Sequence, residues 1–127
     1  MKYTTLLLRV IVLFGITILS VYALQEANME GKWNGKMAIP NFGTYEMTMV
    51  LEKTDSGYKG KVNDTVGYIA EDTEIQDIKI EGNQLSCWFD LTDGTIVNLT
   101  LTADGDTMIG EAEREGGIVS CVFVREK

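Results

Sequence analysis

The cysteines Cys87 and Cys121 are the strongest nucleophiles in this 127-residue chain, and nothing in the sequence activates them. The chain contains no histidine. The usual general base near neutral pH and the commonest zinc ligand are therefore missing together. A cysteine attacks as its thiolate, and both fall within apolar alternations where the charged form is disfavoured. They are expected as core thiols or, in an oxidising compartment, as a disulfide. Paired carboxylates could cleave a glycosidic bond. The acids here, however, stand mostly in turns (Asp55, Asp93, Asp104, Asp106) or on outward strand faces (Glu111, Glu113). Asp104-Gly105-Asp106 has two carboxylates at a calcium-like spacing but lacks the other ligands of an EF-hand loop, and a hairpin turn accounts for it. Glu71, Asp72, Glu74 and Asp77 form the densest acidic run, either a surface for a basic partner or a solubilising one. Asn63-Asp64-Thr65 and Asn98-Leu99-Thr100 match the glycosylation sequon, which matters only in a eukaryotic secretory host. No catalytic constellation, metal or cofactor is expected.

What remains is apolar. Trp33, Met37, Tyr45, Met47, Met49, Tyr58, Tyr68, Phe89 and Met108 are large, mostly soft side chains, and all but Tyr68 lie on the inward face of some alternating segment. Methionine fills irregular gaps in cores and also lines adaptable binding surfaces. These nine are the candidate ligand-binding residues. A packed core is the default for such a set, and the alternative is a cavity opening near Phe42, Tyr68 and Ile69.

The elements that would carry them are strands. In 31–39, Trp33, Gly35, Met37 and Ile39 share one face while Lys32, Asn34, Lys36 and Ala38 share the other, as successive side chains of a half-buried strand do. The same alternation marks 44–53, 58–63, 75–81, 84–91, 95–103, 106–113 and 118–125. Tight-turn residues separate them, among them Pro40-Asn41-Phe42-Gly43, Thr54-Asp55-Ser56-Gly57, Gly82-Asn83 and Gly116-Gly117. Residues 64–73 fit no period and read as the longest loop. A shift of fifty residues lays Met47, Met49 and Leu51 on Val97, Leu99 and Leu101, and Tyr58, Gly60 and Val62 on Met108, Gly110 and Ala112. A meander of similar hairpins produces such a repeat. The immunoglobulin-like sandwich is disfavoured because Trp88 abuts Cys87 and the cysteines are close in sequence. The expected fold is all-β, an eight-stranded antiparallel up-and-down barrel of lipocalin-like form. The inward glycines Gly35, Gly60 and Gly110 would let its strands bend. In such a meander the strands of Cys87 and Cys121 are not neighbours, which argues against their pairing.

Ahead of the barrel, Lys2 and Arg9 precede an apolar run of roughly 15 residues that ends at Val21-Tyr22-Ala23, the form of a secretory leader. The expected organisation is a signal peptide over 1–23 with an apolar helix, a polar linker over 24–30, and the barrel domain over 31–127. The alternative is a retained single-pass anchor, and only then would a membrane be a partner. The expected location is extracytoplasmic, periplasmic or secreted. Loss of Lys2 and Arg9 with the leader would take the net charge from −8 to −10. Such a charge repels nucleic acid and favours solubility or basic partners.

Gly31-x-Trp33-x-Gly35-x-Met37, then Leu51 with Tyr58-x-Gly60-x-Val62, then Glu81-Gly82-Asn83-x-Leu85, resembles a small β-barrel domain of secreted bacterial proteins, found alone or at the end of larger hydrolases. That family is broadly similar to lipocalin- and avidin-type, calycin-like barrels. The resemblance spans most of 31–126 and rests on structural motifs. It implies a barrel and no shared activity, and the biotin contacts of avidin-type proteins find no match here. The expected function is non-enzymatic binding of a small hydrophobic ligand inside the barrel. The alternative is an accessory or inhibitory module whose acidic surface engages a basic protein.

Overall fold

The computed structural model describes residues 26–127, so the apolar leader and its expected helix lie outside the described residues. Nine strands follow in order: β1 (Gly31–Ile39), β2 (Gly43–Thr54), β3 (Gly57–Asn63), β4 (Thr73–Glu74), β5 (Gln76–Glu81), β6 (Gln84–Asp90), β7 (Ile96–Asp104), β8 (Thr107–Arg114) and β9 (Gly117–Arg125). All pair antiparallel in one sheet of order β4-β3-β2-β1-β9-β8-β7-β6-β5. The up-and-down meander expected from the sequence is present, with nine strands in place of eight. The additional one is the two-residue β4, which falls just before the segment read as the fourth strand, at the end of the stretch read as the longest loop; within β5, Asp77 takes φ 50° and the pairing with β6 slips between Gln76 and Lys79. Asp77 is fixed there by accepting a hydrogen bond from Trp88 Nε1 at 2.8 Å.

The sheet curls until its two ends approach. Ile75, which links β4 to β5 at that approach, donates its amide to the Gly60 carbonyl of β3 at 3.0 Å, and the barrel is nearly closed. Alternation places one side of every strand inside: Trp33 and Met37 of β1, Tyr45 to Leu51 of β2, Phe89 of β6, Leu99 and Leu101 of β7, Met108 and Ala112 of β8, Cys121 and Phe123 of β9. Burying a side chain of that size contributes about 1.5–3 kcal/mol. No polar or charged side chain is buried among the described residues.

The fifty-residue repeat is also a repeat of register. Met49 stands opposite Val62 and Leu51 opposite Gly60, and likewise Leu99 opposite Ala112 and Leu101 opposite Gly110. Each hairpin turns through two residues, between Thr54 and Gly57 or between Asp104 and Thr107.

The inward glycines do more than permit bending. A Cβ on Gly35 would lie 2.3 Å from the Phe123 ring, so the ring occupies the space that a side chain would take. A Cβ on Gly110 would lie 1.9 Å from the Thr100 carbonyl oxygen, so β8 and β7 approach at backbone contact. Gly60 is similarly hemmed in by the Val50 carbonyl oxygen at 2.7 Å.

One end of the barrel is sealed. Residues 26–30, expected as a polar linker, cross that end: the Ala27 amide donates to the Gly82 carbonyl at 2.8 Å and Met29 is fully buried. Trp33 Nε1 donates to the Met29 carbonyl at 3.0 Å, and the Met29 amide donates to the Tyr58 hydroxyl at 3.3 Å. Arg125 clamps the segment from outside, donating to the carbonyls of Glu30 at 2.6 Å and Asn28 at 2.8 Å. Its guanidinium lies 4.5 Å from the Trp33 ring centroid, within cation–π range, and its Nε is 3.1 Å from Asp106 Oδ1.

Candidate functional site

The other end is open. A cavity of about 490 Å³ enters the barrel there, bounded by the β1–β2 turn, the loop between β3 and β4, the β6–β7 turn and the β8–β9 turn. Met37, Met47, Phe89, Val97 and Ala112 line its depth, and Phe42, Tyr68, Leu91 and Ile118 surround its mouth. The volume lies in the range of small-molecule sites, about 300–1,000 Å³.

The nine candidate residues divide between the two halves of the barrel. Met37, Tyr45, Met47, Tyr68 and Phe89 line the cavity. Trp33, Met49, Tyr58 and Met108 do not. Trp33, Met49 and Met108 are completely buried in the sealed half, and Tyr58 packs against that core as acceptor for the strap. The solid half is completed by Leu101 and Phe123.

The aperiodic loop forms one wall of the mouth, and Asp64 organises it. Its Oδ2 accepts from the Tyr45 hydroxyl at 2.5 Å and from the amides of Tyr68 and Ile69, each at 3.0 Å, while Oδ1 accepts from the Gly67 amide at 2.9 Å. Asn63 and Asp72 tie the base of the loop, with Asn63 Nδ2 donating to Asp72 and the Asp72 amide donating back to Asn63 Oδ1. On the far side the Thr92 amide donates to the Tyr68 carbonyl at 2.9 Å. Ile69 is buried as a result, and Tyr68 is held between Phe42 (ring centroids 5.9 Å apart, edge-on) and Tyr45 (6.1 Å).

These contacts fix the protonation of the polar groups. Burial pushes the Tyr45 phenol well above its ordinary value, and the adjoining Asp64 carboxylate pushes it further. For Asp64 partial burial works upward, but the Tyr45 hydroxyl and the three loop amides outweigh it and hold the carboxyl below the usual range. At neutral pH the pair is a protonated phenol donating to a carboxylate. Neither member titrates near neutrality, as a general base at that pH would.

Both cysteines are buried and free, on β6 and β9 with β7 and β8 between them. Burial raises the Cys87 thiol to about 12, and burial with the Glu111 charge raises Cys121 to about 11, so both stay protonated at neutral pH. Asp104-Gly105-Asp106 is part of a hairpin, and Asp106 pairs with Arg125 and, at 3.9 Å, Lys127. Among the described residues no three Cys, Asp or Glu side chains converge as metal ligands. Asp64, the residue on which the mouth depends, was not among the nine. Its only sequence signal is an Asp followed by Gly67 at turn spacing.

The chain matches no protein-family model, and no curated protein matches it. Among solved structures it is similar to a redesigned β barrel, with 14% identity and a TM-score of 0.61 over 78% of this chain and 92% of that one. At that identity the likeness concerns the fold: a small β-barrel domain.

Proposed function

We propose that this protein is a non-enzymatic, extracytoplasmic, calycin-like barrel that holds a small, mainly apolar ligand in its open half. The observation that carries the reading is the contrast between the two halves. One is filled to its axis by Trp33, Met49, Met108 and Phe123, while the other keeps a cavity of about 490 Å³ behind apolar walls. A small core that gains stability from packing has no use for such a space, since each unfilled volume costs contacts. The secretory form of the leader supports the location. The protonation states of Tyr45 and Asp64 support binding over catalysis.

The test is binding of a neutral environment-sensitive probe, N-phenyl-1-naphthylamine, to the purified protein and to Ala112→Phe. Ala112 lines the cavity and is nearly fully buried, so a phenyl ring there projects into it and takes up part of its volume. We expect micromolar probe binding that Ala112→Phe weakens at least about tenfold, with the melting temperature kept. That loss corresponds to about 1.4 kcal/mol. Equal binding by parent and variant, or no binding by the parent, overturns the reading.

A further inference from the structure

A single charged position falls on the inward face of β8 where that strand reaches the mouth. Alternation carries Met108, Gly110 and Ala112 into the barrel and Ile109, Glu111 and Glu113 to the outer wall, so Arg114 comes next on the inward side. Arg114 lines the cavity at its rim. Deeper in, Met37, Met47, Phe89, Val97 and Ala112 offer no charge and no side-chain nitrogen or oxygen.

The place opposite Arg114 is empty. Its cross-strand partner is Gly117, which shares the inward face of β9 with Val119, Cys121 and Phe123. A Cβ on Gly117 would meet nothing within 4 Å. Arg114 also takes part in none of the ion pairs found among the described residues. A forked set of charged donors thus borders an apolar cavity, with open space beside it.

The acids around the mouth are engaged elsewhere. In the order of the sheet the β8–β9 turn stands between the β1–β2 and β6–β7 turns, and the loop of Asp64 and Asp72 lies across from it. Asp64 is spent on the Tyr45 hydroxyl and the loop amides, and Asp72 is tied to Asn63. Asp93, on the β6–β7 turn, accepts from the Thr95 amide at 2.9 Å. Thr95 holds the Asp93 carboxyl below the usual range and the Arg114 charge adds to this, so the two feel one another without pairing.

An ion cannot enter the apolar walls without a partner, so a charged ligand goes in tail first and leaves its head at the rim. There the guanidinium fork of Arg114 matches a carboxylate through parallel hydrogen bonds. One guanidinium answers one negative charge, and Asp93, Glu113 and Glu115 disfavour a second.

We propose that the ligand is a monoanionic amphiphile, a long-chain carboxylate with its aliphatic tail in the barrel and its head on Arg114, in the space left by Gly117. This rests on the cavity being a binding site and adds the sign and the charge number of the head group.

The experiment ranks ligands of one chain length by displacement of the neutral probe at about pH 8, where carboxylates are ionised. They are dodecanoate, dodecanol, dodecyl phosphate and dodecyltrimethylammonium, each below its micelle concentration. We expect dodecanoate to bind about threefold to tenfold more tightly than dodecanol, dodecyl phosphate to bind more weakly than dodecanoate, and the ammonium to bind weakest. Arg114→Gln should bring dodecanoate down to the alcohol or below it. Arg114→Lys keeps the charge and loses the fork, and should fall between. Gly117→Glu sets a carboxylate of the chain itself against Arg114, and should weaken dodecanoate about threefold to tenfold while leaving dodecanol within about twofold. Dodecanol binding is the control for folding in each variant. Equal affinities for all the ligands, or tightest binding of the ammonium, overturns the inference, as does dodecanoate binding that Arg114→Gln leaves unchanged. Tightest binding of dodecyl phosphate overturns the single charge. In each of these cases the cavity remains a site. If the neutral probe and dodecanol both fail to bind, the proposed function itself fails, and the inference with it.

Discussion

Gly35 and Gly110 occupy equivalent inward positions, yet their surroundings predict different costs for the same substitution. At Gly110 the obstacle to a methyl group is the Thr100 carbonyl oxygen, with the Leu101 Cα 2.9 Å away, and backbone of a paired strand cannot swing aside. Gly110→Ala is expected to destabilise by about 3 kcal/mol or to prevent folding. At Gly35 the obstacle is the Phe123 ring, which can tilt at the expense of packing. Gly35→Ala is expected to cost about 1–2 kcal/mol, and urea unfolding of the two variants separates the cases. Arg125 is a second residue with a measurable share. Arg125→Met keeps much of the aliphatic stem but removes two hydrogen bonds to the strap and the cation above Trp33. A loss of about 2 kcal/mol is expected, with faster hydrogen exchange at the Ala27 and Met29 amides.

At the scale of elements, the loop between β3 and β4 depends on one carboxylate. The native Asp64 carboxyl titrates below its ordinary range, so its contribution is complete above the unfolded-state pKa, about 4. It is lost as the pH falls from there through the lower native value. Asp64→Asn is therefore expected to lower stability at pH 7 by about 1–2 kcal/mol and to flatten the decline of melting temperature below pH 4. Little of this loop was legible. Its residues bond through side chain and main chain rather than in a ladder, and such contacts leave no period in the sequence. The strands were legible because alternation reports which face a side chain takes. Met47, Met49 and Leu51 announce an inward face, and the structure gives them one. Alternation does not report height along the barrel axis. Met47 borders the cavity and Met49 is sealed in the core, two residues apart on the same face. The sorting of the nine candidates into wall and core had no sequence signal for that reason. Met29 was hidden differently, as a single apolar residue in a polar stretch without a period.

For the whole molecule, the decisive asymmetry runs along the barrel axis. The sealed end holds Trp33, Arg125 and a crossing strap, and the open end holds the half-exposed rings of Phe42 and Tyr68. Two-state unfolding with a single transition is expected, since both halves share every long strand. A saturating ligand that binds only the folded chain should raise the melting temperature in proportion to the logarithm of its concentration, and calorimetry checks this.

The position of the seam has one more consequence. β1 and β9 are paired in the middle of the sheet order, and the Glu126 amide donates to the Lys32 carbonyl at 2.7 Å. The described chain ends thus meet inside a continuous run of strands, whereas the break in the wall lies between β4 and β5. Joining residue 127 to residue 26 by a short glycine–serine link and cutting the chain within 65–67 would move the ends to the seam. From β5 to β3 the circular permutant would follow the order of the sheet, with only the two-residue β4 ahead of it pairing back onto β3. It should fold, and with Asp64 separated from the amides that hold Tyr68, it should fold with its mouth unlatched.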